Sequence, residues 1–140
     1  MNAKMYLNSV RVLDEKIDEK ILQIDCLRAM ATSTSVEMSA DRVQTSIVCD
    51  KFAECIAKAA DLSKEVDEDV DRLYDLKKQC IGLICKMKND NEQTVLMNKY
   101  LQYDNFGSIA DEIGRSIRQV MRIHKKALDN FQKILDDEGL

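Results

Sequence analysis

Proline is absent from this sequence and glycine occurs only four times in 140 residues, so the chain has few residues that interrupt helices. Leucine, isoleucine, methionine, lysine and glutamate, which favour helix, are plentiful. No run of eighteen apolar residues is present, as a membrane-spanning helix would need. Asp14 and Glu15 stand where a signal peptide requires an apolar stretch. We therefore expect a nearly all-α protein that stays in the cytoplasm, away from membranes.

The five cysteines contain no C-x-x-C pair and the sequence has a single histidine, so the usual spacings of zinc ligands are missing. The acidic run over residues 66–72 lacks the glycine and the closing glutamate of a calcium loop, and it fits the solvated face of a helix better. No glycine-rich phosphate loop and no paired nucleophile and base are visible. We expect neither an enzyme nor a protein with a metal or another cofactor.

Residues 3–31 carry apolar side chains at a spacing of about 3.5 residues, which predicts one long amphipathic helix. The members of this stripe are Val10, Leu13, Ile17, Ile21, Ile24, Leu27 and Ala31. The next segment, residues 32–50, is rich in serine and threonine and shows no steady period. That composition predicts a flexible connection.

A second helix is predicted over residues 51–88, where apolar residues repeat every seven positions in two series. One series is Phe52, Ala59, Val66, Leu73, Cys80 and Met87, and the other is Cys55, Leu62, Asp69, Leu76 and Leu83. Asp69 is the one polar member, and we expect Val70 to replace it in the apolar seam. Because neither helix can bury its stripe alone, residues 1–90 should form a long antiparallel helical hairpin. A homodimer formed by this hairpin as a coiled coil remains open.

Residues 91–135 carry the pattern of a helix-turn-helix. Ala110 is the small residue needed where the two helices touch, and Gly114 tolerates the positive φ of the turn. Ser116 is a good N-cap for a second helix that begins at Ile117. The apolar residues expected to lock the two helices together are Ile109, Ile113, Val120 and Ile123. We therefore expect a small helix-turn-helix domain here, followed by an acidic tail, residues 136–140.

This segment resembles region four of bacterial sigma factors, and more closely the sigma-region-four-like proteins of phages and prophages, including the ArpU type of late transcriptional regulator. The matching residues are Val95, Leu96, Tyr100, Ile109, Ala110, Ile113, Gly114, Ser116, Arg118, Val120, Arg122, His124, Ala127 and Leu128. The amino-terminal half is similar, through YLNSVRVLDEKIDEK, CLRAMATSTS and VDEDVDRLYDLKKQ, to the helical hairpin of a related family of phage proteins. The sequence departs from the pattern at Phe106-Gly107, where a capping Ser or Thr and an acidic pair are usual, and Asn105 is the alternative cap.

The resemblance implies sequence-specific binding of double-stranded DNA by a phage or prophage transcriptional regulator, in the cytoplasm of a bacterial host cell. RNA polymerase is then a further candidate partner. Two other functions stay open. One is a DNA-packaging subunit similar to a small terminase, and the other is a helical protein–protein adaptor that does not bind DNA.

The distribution of charge also favours DNA. Residues 94–135 contain seven basic and four acidic residues, whereas the rest of the chain is net negative. A basic region is what attraction to phosphates requires, although lysine and arginine on an exposed helix are usually only solvated. The candidate DNA-binding residues are Arg115, Ser116, Ile117, Arg118, Gln119, Arg122, Lys125 and Lys126.

Within this set, the candidates to reach bases are Arg115, Ile117, Arg118, Gln119 and Arg122. Among them, Arg118 suits guanine, Gln119 suits adenine and Ile117 suits the methyl group of thymine. Arg122, Lys125 and Lys126 are candidates to hold phosphates. The roles of the two helical arginines can be exchanged at this stage. The acidic hairpin is expected to stay away from the DNA.

Overall fold

The computed structural model describes the backbone of residues 2–40 and 45–140, and the side chains of residues 2–32 and 50–140. Every regular element within these described ranges is helical. The elements are α1 (Ala3–Ala40), α2 (Thr45–Ile84), α3 (Asp90–Leu96), a π-helical turn (Met97–Leu101), α4 (Phe106–Ile113) and α5 (Ile117–Asp137). Over the same ranges, none of these helices combines the length and the apolar character needed to cross a bilayer.

The two long helices extend further into the serine- and threonine-rich segment than the sequence pattern predicted. α1 continues past Ala31 to Ala40, and α2 begins at Thr45 instead of Lys51. Once a helix is formed, each further residue adds a hydrogen bond at little cost, and no proline or glycine stands here to stop it. Residues 41–44 of this segment lie outside the described residues, and the flexibility of residues 32–50 stays a prediction.

The chain divides into two compact units. One consists of residues 1–14 together with residues 73–140, and the other of residues 15–72. This division differs from the predicted boundary near residue 90, because the first turns of α1 and the end of α2 pack with α5. Their common core contains Ala3, Tyr6, Leu7, Val10, Cys80, Leu83, Ile84, Met87, Leu96, Tyr100, Ala127, Phe131 and Leu135.

Polar and aromatic contacts join the carboxyl-terminal half of α5 to the first turn of α1. The backbone N–H of Ala3 donates a hydrogen bond of 2.7 Å to Oε1 of Gln132, and the rings of Tyr6 and Phe131 lie 6.1 Å apart. The end of α5 closes in a Schellman arrangement, in which the N–H of Leu140 donates to the carbonyl of Leu135 at 2.9 Å. In the stretch predicted as an acidic tail, Asp136 and Asp137 thus belong to α5, and residues 138–140 form its closing turn.

In the unit formed by residues 15–72, the seam between α1 and α2 contains Asp69 itself. Asp69 is 5% exposed, whereas Val70 is 46% exposed, so the expectation that Val70 takes over the seam is wrong. Val70 is one residue further along the helix, and one residue turns a helix by about 100°, so its side chain points away from the seam. The apolar side chains that repeat every seven residues keep α2 in this register. Lys20 offsets the cost of burying this carboxylate by donating a hydrogen bond of 2.6 Å to Asp69. This bond lowers the pKa of Asp69 below its usual value, although burial opposes the shift.

Candidate nucleic-acid interface

The turn between α4 and α5 consists of three residues. Gly114 ends α4 with φ of 68° and ψ of 35°, in the left-handed region, and the N–H of Arg115 reaches back to the carbonyl of Ala110 at 3.0 Å. Ser116 then caps α5: its Oγ accepts from the N–H of Gln119, and Oε1 of Gln119 accepts from the N–H of Ser116, both at 3.2 Å. This reciprocal pair is a capping box, which defines where α5 begins and how the chain enters it.

The start of α4 is capped by Asn105, the residue that the sequence offered as the alternative cap. Oδ1 of Asn105 accepts from the N–H of Ser108 at 2.8 Å, and α4 begins at Phe106. Gly107 lies in the first turn, where an added Cβ would stand 3.3 Å from Oδ1 of Asn105. A side chain at this position would crowd the capping oxygen, so the departure from the sigma-factor pattern goes together with this particular cap.

A small apolar core lies beneath the turn and joins α3, α4 and α5. Its fully enclosed members are Val95, Ile109, Ala110 and Val120, and the partly buried side chains packed against them are Phe106, Ile113 and Ile123. Ala110 supplies the close approach between α4 and α5 that a larger residue would prevent. The structure thus brings together, in one cluster or in the turn above it, all six positions that the sequence singled out for these roles.

Two polar contacts between the helices were not predicted from the sequence. Glu92 on α3 is buried, and its two oxygens accept from Nδ2 of Asn130 on α5 at 3.1 and 2.9 Å. Asn98 in the π-helical turn is also buried and donates to Glu112 on α4 at 2.6 Å. A buried polar group needs such a partner to offset the loss of hydration. The Glu92–Asn130 pair therefore fixes α5 relative to α3, and the Asn98–Glu112 pair fixes α4 relative to the π-helical turn.

His124 lies on the inner side of α5, against the aromatic side chains of Tyr100 and Phe106. Its Nε2 is 2.7 Å from the hydroxyl of Tyr100, and its ring meets that of Phe106 edge to face at 5.1 Å. Lys99 lies over the Phe106 ring at 4.5 Å. Burial lowers the pKa of His124 below its usual value, and the charges of Lys99 and Lys4 act in the same direction. His124 is thus placed to hold the helices together as a neutral side chain.

The turn before α5 and the outer side of α5 carry the predicted contact residues. All eight, namely Arg115, Ser116, Ile117, Arg118, Gln119, Arg122, Lys125 and Lys126, are exposed. The segment from Ile117 to Lys126 contains four cations and no acidic residue. By helical spacing, Arg118 and Arg122 share a face opposite Val120, which is fully buried.

An exposed apolar pair borders this cationic face. Ile117 and Met121 are each 52% exposed and lie one turn apart on α5. Ile117 was predicted as a contact residue, whereas Met121 was missed, although its position four residues after Ile117 was a visible signal. A cationic face with adjacent apolar side chains can contact both phosphates and the methyl groups of bases.

The chain is similar to the RNA polymerase sigma factor SigO of Bacillus subtilis (strain 168). The two are 28% identical over 131 residues, which cover 93% of this chain and 68% of the sigma factor. The similarity therefore extends over nearly the whole chain, beyond α4 and α5. No family model matches the chain. No solved structure matches it significantly.

Proposed function

We propose that residues 91–135 form a helix-turn-helix domain that binds double-stranded DNA, with α5 as the helix that enters the major groove. The observation that carries this proposal is the arrangement of α5: an outer face with exposed cations and no acid over its first ten residues, behind which a compact core fixes its orientation. A major groove admits an α-helix, and a helix that docks amino-terminal end first brings its first turns to the bases.

The first turn of α5 distinguishes between the two candidates for polar base contacts. Gln119 uses its carbonyl oxygen to close the capping box with Ser116. Reading adenine with two hydrogen bonds needs that oxygen as an acceptor, so Gln119 would have to give up the cap. Among the described residues, Arg118 makes no competing contact of this kind, and its two parallel donors suit guanine. Arg118 is therefore our candidate for base reading, with Arg122, Lys125 and Lys126 on phosphates.

We place this DNA binding in transcription, because the similarity to a sigma factor covers both the helices before the domain and the domain itself. On this proposal the preceding helices form a hairpin that engages RNA polymerase or a second copy of the chain, while α5 selects the promoter or operator. The resemblance to sigma-region-four-like regulators of phages and prophages makes a regulator of this kind our specific proposal.

Selection of binding sites from a random pool of duplex DNA, followed by titration with the selected sequence, tests the proposal. The wild-type chain should recover a defined sequence. Arg118→Ala combined with Arg122→Ala should bind the selected site at least about tenfold more weakly, since a bidentate base contact alone contributes about 1–3 kcal/mol. The slope of log affinity against log salt should also fall by about one for each phosphate contact removed.

The matched control is Arg28→Ala combined with Lys64→Ala, which removes the same charge from exposed positions on α1 and α2. It should leave DNA affinity nearly unchanged. Equal affinity of the two double variants would refute the role of α5. An affinity for a partner that does not respond to salt would instead favour the adaptor function, and a large ring of subunits in light scattering would favour a DNA-packaging subunit.

A further inference from the structure

An apolar groove lies between α1 and α2 in the unit formed by residues 15–72, with a volume of about 590 Å³. Its floor and walls are formed by Leu22, Cys26, Leu27, Met30 and Leu62, and carboxylates stand along the α2 side. The groove and α5 belong to different units of the chain, and the proposed DNA binding makes no use of the groove.

Three of the apolar side chains of this groove, Leu22, Cys26 and Met30, are exposed, whereas Leu27 and Leu62 are half-buried. Leu22 is 64% exposed and Met30 is 56% exposed, whereas Ile17 and Ile24 of the same helix are buried. Leu22, Cys26 and Met30 follow one another every four residues, so they form a stripe along one face, about 12 Å long. That length matches the apolar anchors at i, i+4 and i+7 of a helix laid along the groove.

Charge decides what kind of helix fits. Residues 15–72 contain fourteen acidic and eight basic side chains, a net charge of −6. The carboxylates of Asp61 and Glu65 line the groove, and Glu65 also lies 3.5 Å from Nζ of Lys20. Lys58, the basic residue among the described lining residues, is paired with Glu54 at 3.2 Å. A second copy of this unit would bring like charges together, which costs affinity, whereas a cationic partner would gain it.

We propose that this groove binds a basic amphipathic helix of another protein. The apolar residues of that helix would cover Leu22 and Met30, and its flanking lysines or arginines would meet Asp61 and Glu65. Burial of the exposed apolar side chains supplies most of the affinity, and the carboxylates select the charge of the partner. The proposal is independent of DNA binding by α5.

The probe is a labelled synthetic peptide of leucine and lysine, an amphipathic helix of about five turns, titrated by fluorescence anisotropy against the full chain. It should bind saturably. Leu22→Gln combined with Met30→Gln should weaken binding about tenfold or more, because two apolar anchors lose their contacts. The control, Met5→Gln combined with Val12→Gln, removes equally exposed apolar residues outside the groove and should change nothing.

A second arm tests the charge. Asp61→Asn combined with Glu65→Gln should weaken the leucine–lysine peptide severalfold, whereas Asp67→Asn combined with Asp71→Asn, on another face of α2, should not. A leucine–glutamate peptide with the same apolar face should bind far more weakly than the leucine–lysine peptide.

All of these substitutions are at exposed positions, and an unchanged circular dichroism spectrum would verify the fold of each variant. The proposal is overturned if both peptides bind equally. It is also overturned if the two apolar double variants bind alike, or if sedimentation shows a dimer that Leu22→Gln and Met30→Gln dissociate, since a second copy would then be the occupant.

Discussion

Replacing Gly114 with alanine isolates the backbone conformation of the turn that separates α4 from α5. Gly114 has φ of 68°, and a Cβ built there meets no heavy atom within 4 Å. The substitution therefore introduces no steric clash with neighbouring residues. Its whole effect comes from holding a residue with a Cβ in the left-handed region, and from the reduced freedom of the unfolded chain.

The two contributions have opposite signs. The left-handed conformation costs an alanine about 1–2 kcal/mol, and the stiffer unfolded chain returns about 0.4–1 kcal/mol. We expect Gly114→Ala to lower the free energy of unfolding by about 1 kcal/mol. Gly114→Asn should lose less, because asparagine tolerates this conformation better. Gly82 in α2 offers the matched control: its Cβ position is also open, but it lies within a helix, where alanine should gain about 0.5–1 kcal/mol.

Urea denaturation followed by circular dichroism measures the difference. With a slope of about 1–3 kcal/mol per molar urea, the midpoint of Gly114→Ala should fall by about 0.3–1 M while that of Gly82→Ala rises. The same chemical change would thus act in opposite directions at two sites. If Gly114→Ala raised the midpoint as Gly82→Ala does, α4 and α5 would run on as one continuous helix, and the turn described above would be wrong.

Three further predictions concern α5. Val120→Ala should lower the free energy of unfolding by about 2 kcal/mol because it opens a cavity in the core. Ile117→Ala should change the free energy of unfolding by less than about 0.5 kcal/mol, yet weaken DNA binding. The reverse pattern in denaturation and DNA titration would contradict the buried face assigned to Val120 and the exposed face assigned to Ile117. Ser116→Ala should cost about 1 kcal/mol in urea denaturation through loss of the cap, and no loss would argue against the capping box. The pKa of His124 is lowered in the folded state, so the contribution of this side chain to stability is complete above the unfolded pKa of about 6.5 and is lost as pH falls below that value. Denaturation of the wild type between pH 7 and 5 should show this loss of stability, and His124→Gln should show less of it. Parallel stability curves for the two proteins would exclude this role of His124.

The features that the sequence predicted well depend on local chemistry. The positive φ of Gly114, the cap by Ser116 and the alternative cap by Asn105 each involve residues within a few positions of one another. A capping side chain or a glycine in a turn acts in nearly the same way in any fold. The all-helical character followed for a similar reason, since it sums many small propensities over the whole chain.

The features that the sequence missed depend on contacts between distant residues. The buried pair Glu92–Asn130 joins residues 38 positions apart, and no sequence pattern around either residue predicts this contact. Tyr103 has φ of 60° without being glycine or asparagine, and its hydroxyl donates to Asp14 at 2.7 Å, a partner 89 residues away. The expected apolar stripe of α1 began at Val10 and left out Leu7, which is fully buried by packing with the end of α2 and with α5.

The orientation of the cationic face is fixed from both ends of α5. Val120 in the amino-terminal half belongs to the small core under the turn, while Phe131 and Leu135 belong to the larger core shared with α1 and α2. Rotating the helix enough to turn Arg118 away from solvent would expose these side chains, each of which contributes about 1.5–3 kcal/mol by burial. Exposing three such side chains would take up much of the total stability of a typical small domain. Phe131 and Leu135, which lie more than three helical turns after Arg118, therefore help to hold this arginine in place. A binding surface on α5 thus needs the first turns of α1 as much as it needs the turn at Gly114.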